Sequence, residues 1–128
     1  MAAAPAFAAT PNNASAQISA TADTSYTSPA NTVTIFTAGA SGSVVNEIDM
    51  TATGTTVAGV INVFRKNGAN YYILDSFVVP VVTPSTTTAP YRASRTYPNL
   101  VLKSGDTLVA SSWASSQLVC ASAFGGDM

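Results

Sequence analysis

The sequence has no histidine, one cysteine and few charges. Each shortage closes off a class of function. Without histidine the chain lacks the commonest general base at neutral pH and the commonest metal ligand. A lone Cys120 cannot form an intrachain disulfide. It sits in the apolar run LVCASAF, where a buried core thiol is expected. Charged residues make up 9% of the chain, against about 25% in ordinary soluble domains. All five cations lie between Arg65 and Lys103, and the net charge is −1. That balance offers no basic stripe to a nucleic-acid backbone, so no nucleic-acid partner is expected. No segment approaches the roughly 18 apolar residues of a membrane-spanning helix, so no membrane partner is expected either.

What fills the sequence is hydroxyl and β-former. There are 17 Thr and 15 Ser, and from residue 16 onward short Val/Ile/Thr/Tyr runs alternate with Gly, Pro, Asn and Ser punctuation. Strands are expected over 16–22, 32–37, 44–52, 57–66, 70–79, 91–97, 107–114 and 117–124. In TVTIFT, alternation sets Val33 and Ile35 opposite Phe36. In VVNEIDMTA it turns Ile48, Met50 and Ala52 inward and Glu47, Asp49 and Thr51 outward. Asn67-Gly68 supplies the positive φ of a tight hairpin. The proline-broken stretch 80–90 reads as a long connection crossing between sheets.

No stretch holds a 3.6-residue apolar period. Short strands with turns every ~8–12 residues imply an all-β fold, an antiparallel β-sandwich of jelly-roll-like form. Its expected core comprises Ile35, Ile48, Met50, Ile61, Val63, Leu74, Leu102, Leu108, Trp113 and Leu118.

The opening MAAAPAFAATPNNASAQ carries no Lys or Arg, and Pro5 and Pro11 interrupt its apolar stretch. It therefore lacks the charged n-region and apolar h-region of a secretory signal. Residues 1–15 are expected to form an extended N-terminal arm, with residues 16–128 as the sandwich domain. Pro5, Phe7 and Pro11 are the candidate contacts of that arm with a partner.

Candidate chemistry is sparse. Glu47 and Asp49 share a strand face, but nothing completes an acid/base pair or a calcium site, and an outward charged row accounts for them. Asp106, after Gly105, reads as a turn residue. No serine sits in a GxSxG elbow, and no histidine is available to activate one. Gly125-Gly126 has neither the lysine nor the helix of a phosphate loop. Tyr71, Tyr72, Tyr91 and Tyr97 read as cross-strand packing, with a sugar-binding platform as the alternative. No catalytic residue, metal or cofactor is assigned.

One set of motifs says more. Thr37-Ala38-Gly39, Ala52-Thr53-Gly54-Thr55-Thr56, Val82-Thr83-Pro84-Ser85, the segment Leu100 to Ser112, and Gly125-Gly126-Asp127 follow one another at family-like spacing. Over residues 32–128 the chain resembles small virion-associated proteins of tailed bacteriophages. The resemblance implies a structural, non-enzymatic protein, a capsid decoration (cement) protein on the exterior of the virion. Its partners would be the major capsid protein and copies of itself, as dimer or trimer. A tail or neck component, or a carbohydrate-binding module of a receptor-binding fibre, is the alternative.

Overall fold

The structure is a computed structural model and describes residues 10–128. These residues form eight strands and no helix: β1 (Thr10–Gln17), β2 (Val33–Thr37), β3 (Ser43–Ala52), β4 (Gly59–Asn67), β5 (Asn70–Val79), β6 (Arg92–Leu102), β7 (Asp106–Ser112) and β8 (Val119–Asp127). The strands make two four-stranded sheets, in the orders β1-β8-β3-β6 and β2-β7-β4-β5. All pairings are antiparallel. Strands β1 to β4 each pair with their mirror image among the last four, β1 with β8, β2 with β7, β3 with β6 and β4 with β5. The chain is thus one long hairpin folded over into a β-sandwich. Only the β4–β5 turn joins neighbours in one sheet. As expected, 80–90 crosses from one sheet to the other.

The core lies between the sheets. Ile35, Ile48, Met50, Ile61, Val63, Leu102 and Leu108 are buried there, as alternation predicts, together with Phe36 and Phe77. Strand β3 follows period two cleanly beyond its bulge, with Ile48, Met50 and Ala52 inside. Burying each large apolar side chain contributes about 1.5–3 kcal/mol.

Several expectations are corrected. Residues 10–15 belong to the sandwich, as part of β1. Residues 10–15 pair in register with β8, from Thr10↔Asp127 to Ser15↔Ser122. Small Ala14 and Ala16 lie opposite Ala123 and Ala121, so this strand packs without large side chains. Pro11 is therefore an edge-strand residue facing Gly126, a position that tolerates a missing N–H. Pro5 and Phe7 lie outside the described residues.

Leu74, Trp113 and Leu118 are exposed rather than core. Leu74 is the extra residue of a bulge, since Phe64 pairs with Ile73 and Val63 with Asp75. Trp113 and Leu118 stand in the β7–β8 connection, beyond the ends of the sheets. Another bulge, between Thr34 and Phe36, sets both Ile35 and Phe36 into the core and cancels their expected opposition. Cys120 is half-buried and alternates outward between inward Val119 and Ala121, so it is not a core thiol. The hairpin turn is Gly68-Ala69. Asn67 stays in β4 paired with Asn70, and Gly68 alone takes the positive φ, 59°.

Both open sides of the sandwich are clasped by polar side chains. On the β1–β2 side, Asn12 Nδ2 donates to Thr37 O (3.0 Å) and to Asp127 Oδ1 (2.7 Å). On the β5–β6 side, Asp75 receives the guanidinium of Arg95 and, at 2.6 Å, the hydroxyl of Tyr97. The Arg95 guanidinium also lies over the Phe77 ring, 4.5 Å from its centroid. Burial, and then the bond to Asp75, push the Tyr97 phenol well above its ordinary range.

Candidate interaction surface

Strand direction gathers four connections at one end of the sandwich: residues 18–32, 53–58, 80–91 and 113–118. They contain one charge among them, Asp23. Its carboxylate is consumed internally, accepting from Ser25 N (3.0 Å), Ala30 N (2.5 Å) and Asn31 N (2.9 Å). The bonds from Asn31 and Ser25 hold its carboxyl below the usual range.

The four connections are tied to one another and to the strand ends. Gln117 bridges two of them, donating Nε2 to Val57 O (2.6 Å) and accepting Val57 N (2.8 Å). Thr56 bridges two, donating Oγ1 to Pro80 O (2.6 Å) and accepting Val82 N (2.8 Å). Backbone bonds add Thr53 N to Leu118 O (2.8 Å), Ser116 N to Ala20 O (2.8 Å) and Asp23 N to Ser112 O (2.8 Å). Loops braced in this way present their side chains at small ordering cost.

What they present is uncharged, exposed Ser and Thr interspersed with large apolar side chains. Tyr26, Val57, Val81, Trp113 and Leu118 are each between 38% and 63% exposed. Tyr26 and Trp113 pack with ring centroids 5.3 Å apart and planes tilted by 53°. At the same end lies a shallow cavity of about 310 Å³ lined by Ala52, Thr53, Gly54, Thr55, Pro84 and Pro90. Tryptophan and tyrosine are the residue types that most often carry interface energy. The signal was available in the sequence as absence of charge, but which of these apolar residues face solvent depends on where the strands stop.

The other sequence candidates do not converge. Pro11 lies at the opposite end of the fold from these loops. Glu47 and Asp49 point outward from β3, and Asp49 meets Arg92 at 3.5 Å on an open sheet face. Tyr71 and Tyr72 belong to β5, while Tyr97 on β6 and Tyr91 in the connection before it pack toward the core, so the four make no common platform. Among the described residues, no three His, Cys, Asp or Glu side chains gather into a metal-holding group.

At the far end, the Thr37-Ala38-Gly39 and Gly125-Gly126-Asp127 motifs meet. Asp127 accepts Ser43 Oγ (2.6 Å) and Asn12 Nδ2 (2.7 Å), bonds that hold its carboxyl below the usual range. A Cβ on Gly39 would stand 2.6 Å from the Asp127 carboxyl carbon, and one on Gly125 would collide with Val44 O. These glycines allow close backbone approach, a structural role. Compared with protein-family models and with curated proteins, the chain matches none.

Proposed function

We propose that this chain is a non-enzymatic structural protein that docks onto a larger assembly through its uncharged loop end. The observation that carries the reading is that end itself: four cross-braced connections, one charge held in hydrogen bonds to its own loop, and Tyr26, Trp113, Val57, Val81 and Leu118 turned to solvent. Such a surface suits burial against another protein. The motif resemblance supplies the assembly. The chain would be a decoration (cement) protein on the exterior of a tailed-phage capsid, contacting the major capsid protein across subunit seams. Many copies on one shell multiply a modest contact. Binding the assembled shell and not its dissociated subunits stabilises the shell by linkage.

A glycan-binding module is the second reading, favoured by the exposed Tyr26–Trp113 pair. The 53° tilt between those rings leaves no flat platform for a sugar, which weighs toward protein. Reconstruction of the particle carrying this protein tests the proposal. Density on the capsid exterior with the loop end against the shell is expected. Density confined to the tail or neck would replace decoration with a tail role.

A further inference from the structure

Strand β5 is the outer strand of its sheet, and its exposed edge is only half closed. A two-residue turn makes the flanking pair Asn67↔Asn70 hydrogen-bonded, and the alternation of an antiparallel ladder then turns the N–H and C=O of Tyr71 and Ile73 to the open side. Beyond the Leu74 bulge the same parity turns out Ser76 and Val78. There the chain caps itself. Asp75 Oδ1 accepts Ser76 N at 2.8 Å, and Tyr91 donates its hydroxyl to Val78 O at 3.0 Å. Among the described residues no side chain caps Tyr71 or Ile73.

The open half is apolar. Tyr72, Ile73 and Leu74 are exposed in succession, because the bulge breaks the alternation that would otherwise bury one of them. A run of this kind on an edge invites strand pairing. The other three edges are blunted. β1 contains Pro11, β2 is five residues long with a bulge, and β6 contains Pro98, Arg92 and Arg95.

Charge selects the occupant. Lys66 Nζ lies 5.4 Å from the Tyr71 ring centroid on one face, and the Arg65 guanidinium 4.8 Å from the Tyr72 ring centroid on the other. Lys103 stands on the neighbouring β6–β7 turn. Lys66 and Lys103 have no carboxylate within salt-bridge distance among the described residues, while the nearby Asp106 is buried and shared with Arg65. A second copy paired through β5 would bring both sets of cations to one seam. An extended segment bearing carboxylates would meet them with opposite sign.

We propose that the Tyr71–Ile73 edge accepts an acidic extended segment of another protein as an added β-strand, with Lys66 and Arg65 reading alternate side chains on its two faces. This surface is separate from the loop end and does not depend on it.

The test uses the full chain, isotope-labelled, titrated with synthetic peptides that alternate Val with Glu or Val with Lys. The Glu peptide is expected to shift the amide resonances of Tyr71, Tyr72 and Ile73 and to bind about tenfold more tightly than the Lys peptide. Lys66→Glu should weaken the Glu peptide about fivefold, the scale of an exposed charge pair. Ile73→Pro should abolish binding while the melt stays cooperative. Equal binding of both peptides, no binding, or shifts confined to other residues would overturn the proposal. Concentration-dependent self-association through the same amides would overturn it in favour of a second copy.

Discussion

Asn67 donates its side-chain amide to the buried carboxylate of Asp106 at 2.5 Å, tying the end of β4 to the start of β7. Asp106 Oδ2 also accepts Lys103 N (3.1 Å) and faces Arg65 at 3.5 Å. Its backbone N donates to Lys103 O, and its carbonyl accepts Ala38 N. One turn residue therefore holds three segments of the same end. Asn67→Ala leaves a buried carboxylate short of a donor and should destabilise the fold by about 1–3 kcal/mol. Lys66→Ala, one residue away on the surface, should stay within about 0.5 kcal/mol of the parent. Denaturant unfolding of the two variants checks the difference.

Trp113 and Phe77 should separate sharply. Trp113 is 38% exposed and its described aromatic partner is Tyr26. Trp113→Ala should cost about 1 kcal/mol, the scale of an aromatic pair with partial burial. Phe77 is 1% exposed in the core, and Phe77→Ala should cost about 3–5 kcal/mol. Thermal melts of both proteins measure the contrast. A Trp113 variant as damaged as the Phe77 variant would contradict the placement of Trp113.

Gly125→Ala should destabilise by about 1–3 kcal/mol through forced separation of β8 from β3, because the added Cβ would strike the Val44 carbonyl. Gly68→Ala meets no atom within 4 Å but must hold a φ of 59°, which costs about 1–2 kcal/mol through backbone strain alone. A crystal structure of each variant distinguishes the causes: strand displacement in the first, an altered turn in the second.

Acid should loosen both ends of the sandwich. For Asp106, burial acts upward, but the bonds from Asn67, Lys103 N and Arg65 outweigh it and hold the carboxyl below its ordinary value of 3.8. Asp23 and Asp127 are lowered by their own donors. A carboxyl with a depressed folded pKa contributes stability that is fully present above the unfolded value and lost as pH falls through the folded one. Stability should therefore hold down to about pH 5 and decline across pH 4 and below. Equilibrium unfolding between pH 7 and 2.5 shows this directly. Asp106→Asn should flatten the decline.

How much of this was legible depends on where alternation stayed regular. Ile48, Met50 and Ala52 announced the inward face of β3 because nothing interrupts the pleat there. Leu74 and Phe36 misled because each adjoins a bulge, and a bulge leaves no mark in hydrophobic pattern. β1 was missed because its inward residues are alanines, which carry a weak signal yet fit the narrow space opposite Ala121 and Ala123. The loop end was visible only as missing charge. Its exposed Trp113 and Leu118 looked like core because a sequence does not show where a sheet ends.

The most direct measurement of the central claim is occupancy of the protein on purified phage heads, read for Trp113→Asp and Tyr26→Asp against Pro11→Ala, at low and at high salt. The account predicts that either charged substitution at the loop end sharply reduces occupancy and that Pro11→Ala does not. It also predicts little change of parent occupancy with salt, since the docking surface carries a single charge, hydrogen-bonded within its own loop. Undiminished occupancy of both loop-end variants, or release of the parent at modest salt, would contradict it.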